Sequence, residues 1–267
     1  VFRELSNNMC LILLAYKKHP QYPTIIAANR DEFYERPTRE VQFWNTSPDL
    51  LAGKDLLGGG TWMGITRSGR FSAVTNFREP LKDNKNMVSR GFLVRNYLEE
   101  NTLPKEYLKK IKKYAHLYDG FNLIVGNVEK LFYYSNRQNQ IVKILPGIHG
   151  LSNHLLNTSW PKVEKGKRFF SEIVSEKKSI DVEKIFTLLE DRSMPPAQLL
   201  PHTGVDPEWE KILSPLFITS PIYGTRSSTI ILLDRYGKVH FFERSFSMNQ
   251  GNLIRNKTRK FCFRVSS

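Results

Sequence analysis

The sequence predicts an α+β fold: two antiparallel sheets with helices packed on their outer faces. Three observations point there. The segments run strands, helices, strands, helices, strands. The strand pairs are joined by short turns, which antiparallel pairing permits and parallel pairing does not. The strict β-α-β alternation of a doubly wound nucleotide fold is missing.

Taken in order, residues 10–16 and 24–28 read as two strands joined by the turn "KKHPQYP". "NRDEFYERPT" follows as a charged loop. "GGGTWMGITRSGRFSAVTNF" reads as a hairpin, with strands near Trp62–Thr66 and Phe71–Phe77 and "RSGR" as its turn. Ser89 is placed to cap a helix running through Glu99, and Pro104 suits the first turn of a second helix. Strands return in "FNLIVGN", "KLFYYSN", "QIVKILP" and "GIHGLSN". Helices are predicted at about Pro161–Glu176 and Asp181–Asp191, "PPAQLLP" as a linker or loop, and "TRSSTIILLDRYGKVHFFERSF" as a closing hairpin. There is no internal repeat and no strong domain boundary. Residues 1–9 are read as an extension or removed leader, and 10–267 as a single domain.

A chain of 267 residues that is 40% hydrophobic and 12% aromatic can bury a substantial core, which excludes a disordered protein. No apolar run approaches the roughly 20 residues of a membrane span. The run after Met9 is too short for a secretory signal and leads into Lys17 and Lys18. A cytoplasmic protein is therefore expected. Two cysteines cannot build a disulfide framework or an all-cysteine metal site, and no histidine pair has zinc-helix spacing. No cofactor is expected. The net charge of +14 attracts anions. The lysines, however, cluster in "LPKEYLKKIKKYAHLY" and "KVEKGKRFFSEIVSEKK", where helical spacing assigns them to solvated outer faces. No nucleic-acid motif accompanies the charge, so nucleic acid is not the expected partner.

Several residues can carry chemistry. Initiator methionine is removed before a small second residue, and that would leave Cys10 with a thiol and a free α-amine. The amine titrates near ~8 and the thiol near ~8.5, so the amine can serve as base for its own side chain. The alternative is a thiol buried in a first strand. Asn29, Arg30, Asp31 and Glu32 follow an apolar strand, where a site lip or a turn of local ion pairs would equally fit. Arg30 can lower a thiol pKa or hold a carboxylate, and Asp31 or Glu32 can orient an amine. Asn76, ending another strand, is a candidate oxyanion donor or an Asx turn. Asn153 and Arg226 occupy comparable strand ends. Gly58–Gly60 is not a phosphate loop, because no Gly-Lys-[Ser/Thr] follows.

"MCLILLAY", "TIIAANRDEFYERPT", "GGTWMGIT", "SAVTNFRE", "GLSN", "WPKV" and "YGTRSSTIILL" occur in an order that resembles the NRDE family, whose best-known members are the transport and Golgi organization protein 2 group. The resemblance runs from Met9 to about Phe242. That family is similar to the N-terminal-nucleophile hydrolases, which implies a four-layer αββα sandwich. By analogy with bile-salt hydrolases and penicillin V acylases, it implies that Cys10 is the nucleophile and that Arg30, Asp31, Asn76, Asn153 and Arg226 complete the site. Two functions are then in view. One is cleavage of a non-peptide amide or related acyl bond in a small molecule. The other is non-catalytic binding or trafficking of haem or another amphipathic anion.

Overall fold

The computed structural model describes residues 9–80, 87–127, 130–176 and 179–266; the leader assigned to residues 1–9 lies outside them except for Met9. Two seven-stranded antiparallel sheets stack face to face. The first contains β1 (Cys10–Tyr16), β2 (Thr24–Phe33), β10 (Gly147–Leu151), β11 (Tyr223–Leu233), β12 (Lys238–Asn249) and β13 (Asn252–Arg255), in the order β10-β1-β2-β11-β12-β13. β14 (Arg259–Arg264) also pairs with β12. The second sheet runs in sequence order: β3 (Thr38–Trp44), β4 (Ser47–Asp55), β5 (Met63–Thr66), β6 (Phe71–Asn76), β7 (Phe121–Gly126), β8 (Leu131–Ser135) and β9 (Gln140–Lys143).

The α+β expectation holds as a four-layer αββα sandwich. Side chains alternate across a strand, so each inner strand feeds two cores. On β1, Ile12, Leu14 and Tyr16 join the core between the sheets. Leu11, Leu13 and Ala15 pack instead against α3 (Pro161–Ser175) and α4 (Val182–Leu189). The other outer layer is α1 (Gly91–Glu99) and α2 (Pro104–Tyr114), covering the second sheet through Leu93, Tyr97, Tyr107 and Leu108. Gly166 lets α3 approach closely, because a Cβ there would stand 3.0 Å from a Leu13 methyl.

Pro104 and Pro161 open α2 and α3, where a missing N–H costs nothing. Asp181 caps α4 by accepting from the N–H groups of Glu183 and Lys184, at 2.9 and 3.3 Å. The expected Ser89 side-chain cap is absent. Arg90 holds the cap position of α1, and the Ser89 carbonyl accepts from Phe92 N–H instead. A larger correction concerns "NRDE", expected in a loop. All four residues lie inside β2, which continues to Phe33. The β3–β4 hairpin, α5 (Pro207–Ile212), β13 and β14 were not predicted at all.

Candidate active site

Alternation along β1 and β2 sorts the site residues by face. Cys10 shares its face with Ile12 and so looks between the sheets. Opposite it across the ladder stands Arg30, and the row continues through Ser227 and Ser245 on β11 and β12. Arg30 and Glu32 follow Ile26 and Ala28 on the inter-sheet face. Asn29 and Asp31 follow Ile25 and Ala27 toward the helices. Asn29 is a fastener there: its amide donates at 2.8 Å to the carbonyls of Leu189 and Leu216, and it accepts from Ser228 Oγ.

At the end of the sandwich the sheets part around a cavity of about 480 Å³. Cys10, Arg30, Asp31, Asn76 and Arg226 all contribute to its wall, so five of the six expected site residues converge. The rim is tightened where Gly60 meets Gly91, since a Cβ on Gly60 would fall 2.5 Å from the Gly91 carbonyl carbon. The wall is strongly charged. Arg30 pairs with Glu32 at 3.2 Å, Glu32 also meets Arg36, and Arg36 binds Asp55 at 2.7 Å. Arg39, Lys54 and Arg90 add further cations. Arg226 is partly committed elsewhere: Nη1 donates to the carbonyls of Phe33, Tyr34 and Arg36, at 2.8, 3.0 and 3.2 Å. It sits at a register shift between Thr225 and Ser227, clamping the turn that leaves β2.

Asn76 ends β6 with its amide nitrogen buried and without a hydrogen-bond partner among the described residues. A donor held ready in this way can receive an oxyanion. Asn153 is the sixth expected residue and plays a different part. Its Nδ2 donates to the Asn76 carbonyl at 3.0 Å, and its own carbonyl accepts from Arg78 N–H at 2.7 Å. The neighbouring Ser152 donates to the Cys10 carbonyl at 3.0 Å. These bonds tie the start of β1 to the end of β6.

Behind the sheet lies a second, closed chamber that holds Met9. Its backbone N–H donates to Tyr223 Oη at 2.7 Å, and its side chain packs with Leu213, Ile218 and Tyr223. Arg78 reaches the Met9 sulfur at 3.4 Å and forms a buried ion pair with Glu210. Asp31 N–H donates to the Met9 carbonyl at 2.8 Å. Asp31 Oδ1 accepts from Thr225 at 2.6 Å, while Oδ2 is buried with no partner among the described residues. Lys162, also buried, donates to the Leu213 carbonyl at 3.0 Å.

Electrostatics follow from this burial. The Cys10 thiol is pushed up to about 12, first by desolvation and then by Asp31, with only partial relief from Arg30. With Met9 attached the thiol is therefore not acidic, because burial and Asp31 outweigh Arg30, while Arg226 is engaged with backbone carbonyls. Asp31 is raised by burial, against the pull of Lys162. Lys162 is lowered by burial and by Arg78. Glu243, which accepts from Val41 N–H at 2.7 Å in the cavity wall, is raised to about 7 by desolvation. Among the described residues no group of three or more His, Cys, Asp or Glu side chains could hold a metal ion.

Sequence reasoning missed Lys162, Arg78, Glu210 and Tyr223. A signal existed for Lys162. It continues the buried stripe Gly166, Phe170, Val174 at four-residue spacing, so it belongs to the inner face of α3 and not with the solvated lysines.

The Transport and Golgi organisation 2 family profile matches residues 9–248. The chain is 38% identical over 258 residues to a bovine Transport and Golgi organization protein 2 homolog, covering 89% of this chain and 93% of that one. It is 35% identical over 279 residues to the human homolog, covering 97% of this chain and all of that one (100%). Among solved structures, a mutant of conjugated bile acid hydrolase from Clostridium perfringens is similar in fold, with a TM-score of 0.50 at 11% identity, covering 96% of this chain and 98% of that chain. No helix among the described residues is long and apolar enough to cross a membrane. The chain belongs to the Transport and Golgi organisation 2 family.

Proposed function

We propose that the protein is a cysteine N-terminal-nucleophile amidohydrolase, cleaving a non-peptide amide or related acyl bond of a small polar molecule once Cys10 is the first residue. The observation that carries this reading is Asp31 Oδ2, a buried carboxylate oxygen without a partner among the described residues, on the residue whose backbone N–H bonds the Met9 carbonyl of the peptide that precedes Cys10. Buried polar atoms are almost always paired. Freeing the Cys10 nitrogen supplies donors where that oxygen lacks one.

In this mechanism the α-amine takes the thiol proton, and the sulfur attacks the acyl carbon. Asn76 Nδ2 donates to the oxyanion. The C–N bond breaks as the amine passes its proton to the leaving nitrogen. Water, deprotonated by the same amine, then attacks the thioester, and the acid departs as the thiol is reprotonated. The densely charged wall, in which Glu32, Glu40, Asp55 and Asp119 stand among Arg30, Arg39, Lys54 and Arg90, favours a polar substrate over a purely apolar chain. Both cysteines are free, which suits a reducing, cytoplasmic setting.

The test is expression initiated at Met9, intact-mass measurement, and trapping of acyl groups from a panel of N-acyl amino acids, acyl amides and lactams. A mass beginning at Cys10, with acylation lost in Cys10→Ser, is expected. A retained Met9, or no acylation across the panel, defeats the reading. A second reading, binding or trafficking of haem or another amphipathic anion, draws on a separate observation: with Met9 attached the thiol is raised to about 12, while the cavity wall still presents Arg39, Lys54 and Arg90 among its carboxylates. Saturable haem binding that survives Cys10→Ala, without acylation, would favour it.

A further inference from the structure

Lys162 is a poor residue to bury without purpose. A lysine ammonium carries three donors and a large desolvation cost, and long charged side chains are seldom fully buried unless paired. Yet Lys162 lies on the inner stripe of α3, 4% exposed, with Nζ donating to the Leu213 carbonyl at 3.0 Å. Leu213 is part of the wall around Met9, together with Ile218 and Tyr223. The lysine therefore borders the chamber into which the Cys10 nitrogen would open.

The charges facing that chamber can be taken element by element. β2 supplies Asp31, with Arg30 and Glu32 on its other face. The segment after β6 supplies Arg78, α5 supplies Glu210, and α3 supplies Lys162. β11 contributes the Tyr223 phenol, while the Cys10 thiol of β1 lies across the sheet on the inter-sheet face. Arg78 is matched by Glu210. Among the described residues Asp31 has no salt-bridge partner within contact distance, and Lys162 is the strongest cationic influence on it. The helix-side chamber is thus already balanced, two carboxylates against two cations. A protonated α-amine would be a third cation.

We infer that Lys162 is a positioning residue for the proposed reaction: its buried charge offsets Asp31, so that Asp31 can orient the α-amine of Cys10 while leaving it neutral and able to accept a proton. This rests on the amidohydrolase reading. Without Lys162 the same carboxylate would draw a proton onto the amine, and an ammonium cannot deprotonate the thiol. Two demands that conflict in a two-residue arrangement, a carboxylate to orient the amine and a low amine basicity, are met together by three. The titration directions agree: Lys162 is itself lowered, and Asp31 and Cys10 are the first two groups that work against that lowering.

The experiment is a ¹⁵N titration of the Cys10 α-amine in protein initiated at Met9, after intact mass has shown that the methionine is gone. In the wild type the amine is expected to titrate below its ordinary range of about 7.7–8.0. Lys162→Met should raise it by on the order of one pH unit and move the acid limb of kcat/KM by the same amount. Lys162→Arg, which keeps the charge, should leave both close to wild type. A wild-type amine titrating at or above about 8 overturns the inference by itself, whether or not Lys162→Met folds. So does a Lys162→Met amine that does not move. If turnover and acylation persist in that case, the amidohydrolase reading stands and only the role of Lys162 falls. A retained Met9 removes both.

Discussion

Cys10 and Asp31 sit on neighbouring strands yet send their side chains to opposite faces of the same sheet. Their strands are joined beside them, where Asp31 N–H donates to the carbonyl of the preceding Met9 at 2.8 Å. The thiol therefore looks into the open cavity, and the carboxylate into the closed chamber behind it. In the proposed mechanism the nitrogen of Cys10 is the group that both serve.

In protein that retains Met9, Cys262 should be alkylated well before Cys10. Cys262 is exposed, whereas Cys10 is 5% exposed with its thiol raised to about 12. The thiolate is the reactive species, so the burial and raised thiol of Cys10 decide the order. Peptide mapping after timed iodoacetamide treatment measures it; equal rates would contradict the burial of Cys10.

Asn76→Ala should lower turnover by about 10²–10³, or roughly 2.7–4 kcal/mol, the usual cost of one oxyanion donor. Its amide nitrogen makes no hydrogen bond among the described residues, so global stability should fall by less than ~1 kcal/mol. Paired kinetic and urea-unfolding measurements separate these effects. A stability loss without a kinetic one would make Asn76 structural.

Glu243 predicts a pH dependence of stability. Its carboxyl is raised from an ordinary 4.5 to about 7 in the folded state. The folded protein therefore holds this proton more tightly than the unfolded chain. The associated stability is present below pH 4.5 and is lost as pH rises through 7. Glu243→Gln keeps the acceptor for Val41 N–H and cannot ionise. It should stabilise the protein at pH 8 by about 3 kcal/mol and flatten this part of the profile. Unfolding curves from pH 5 to 8 provide the check.

Arg78→Met should destabilise the fold by about 3–5 kcal/mol, because it leaves Glu210 buried without its cation. It also removes the guanidinium stacked over Trp160 at 4.6 Å. Adding Glu210→Gln should recover much of the loss, which a double-mutant cycle would measure. Additive losses would show that the pair does not act as a unit.

Much of this was legible in the residues, for definite reasons. β1, β6, β7 and β11 are long apolar runs between turn signals, and α2 and α3 begin at prolines. Cys10 and Asn76 could be picked out because each stands at the end of such a run. The second half of β2 was not legible, since four polar residues in succession read as solvent-facing. Here they are buried by two separate layers, one on each side of the sheet. β3 was hidden for another reason. Its pairing with β4 shifts register between Arg39 and Gln42 and again between Phe43 and Trp44, which breaks the two-residue alternation. The chamber around Met9 draws its charges from β2, α3, α5 and the segment after β6, and no local pattern can announce such a meeting.

The alternation of Arg30 and Asp31 along β2 has a consequence for how this protein can vary. A sheet carrying one kind of chemistry on each side is a partition wall. Under the proposed mechanism, exchanges on the β3–β4 side would change which molecule is held without disturbing the groups proposed to manage the proton. Exchanges in α3 or α5 would retune that proton without altering the molecule held. The wall itself has no such freedom. Deleting a single residue from β2 ahead of Arg30 would turn the guanidinium toward the helices and the Asp31 carboxylate into the cavity, inverting both compartments at once.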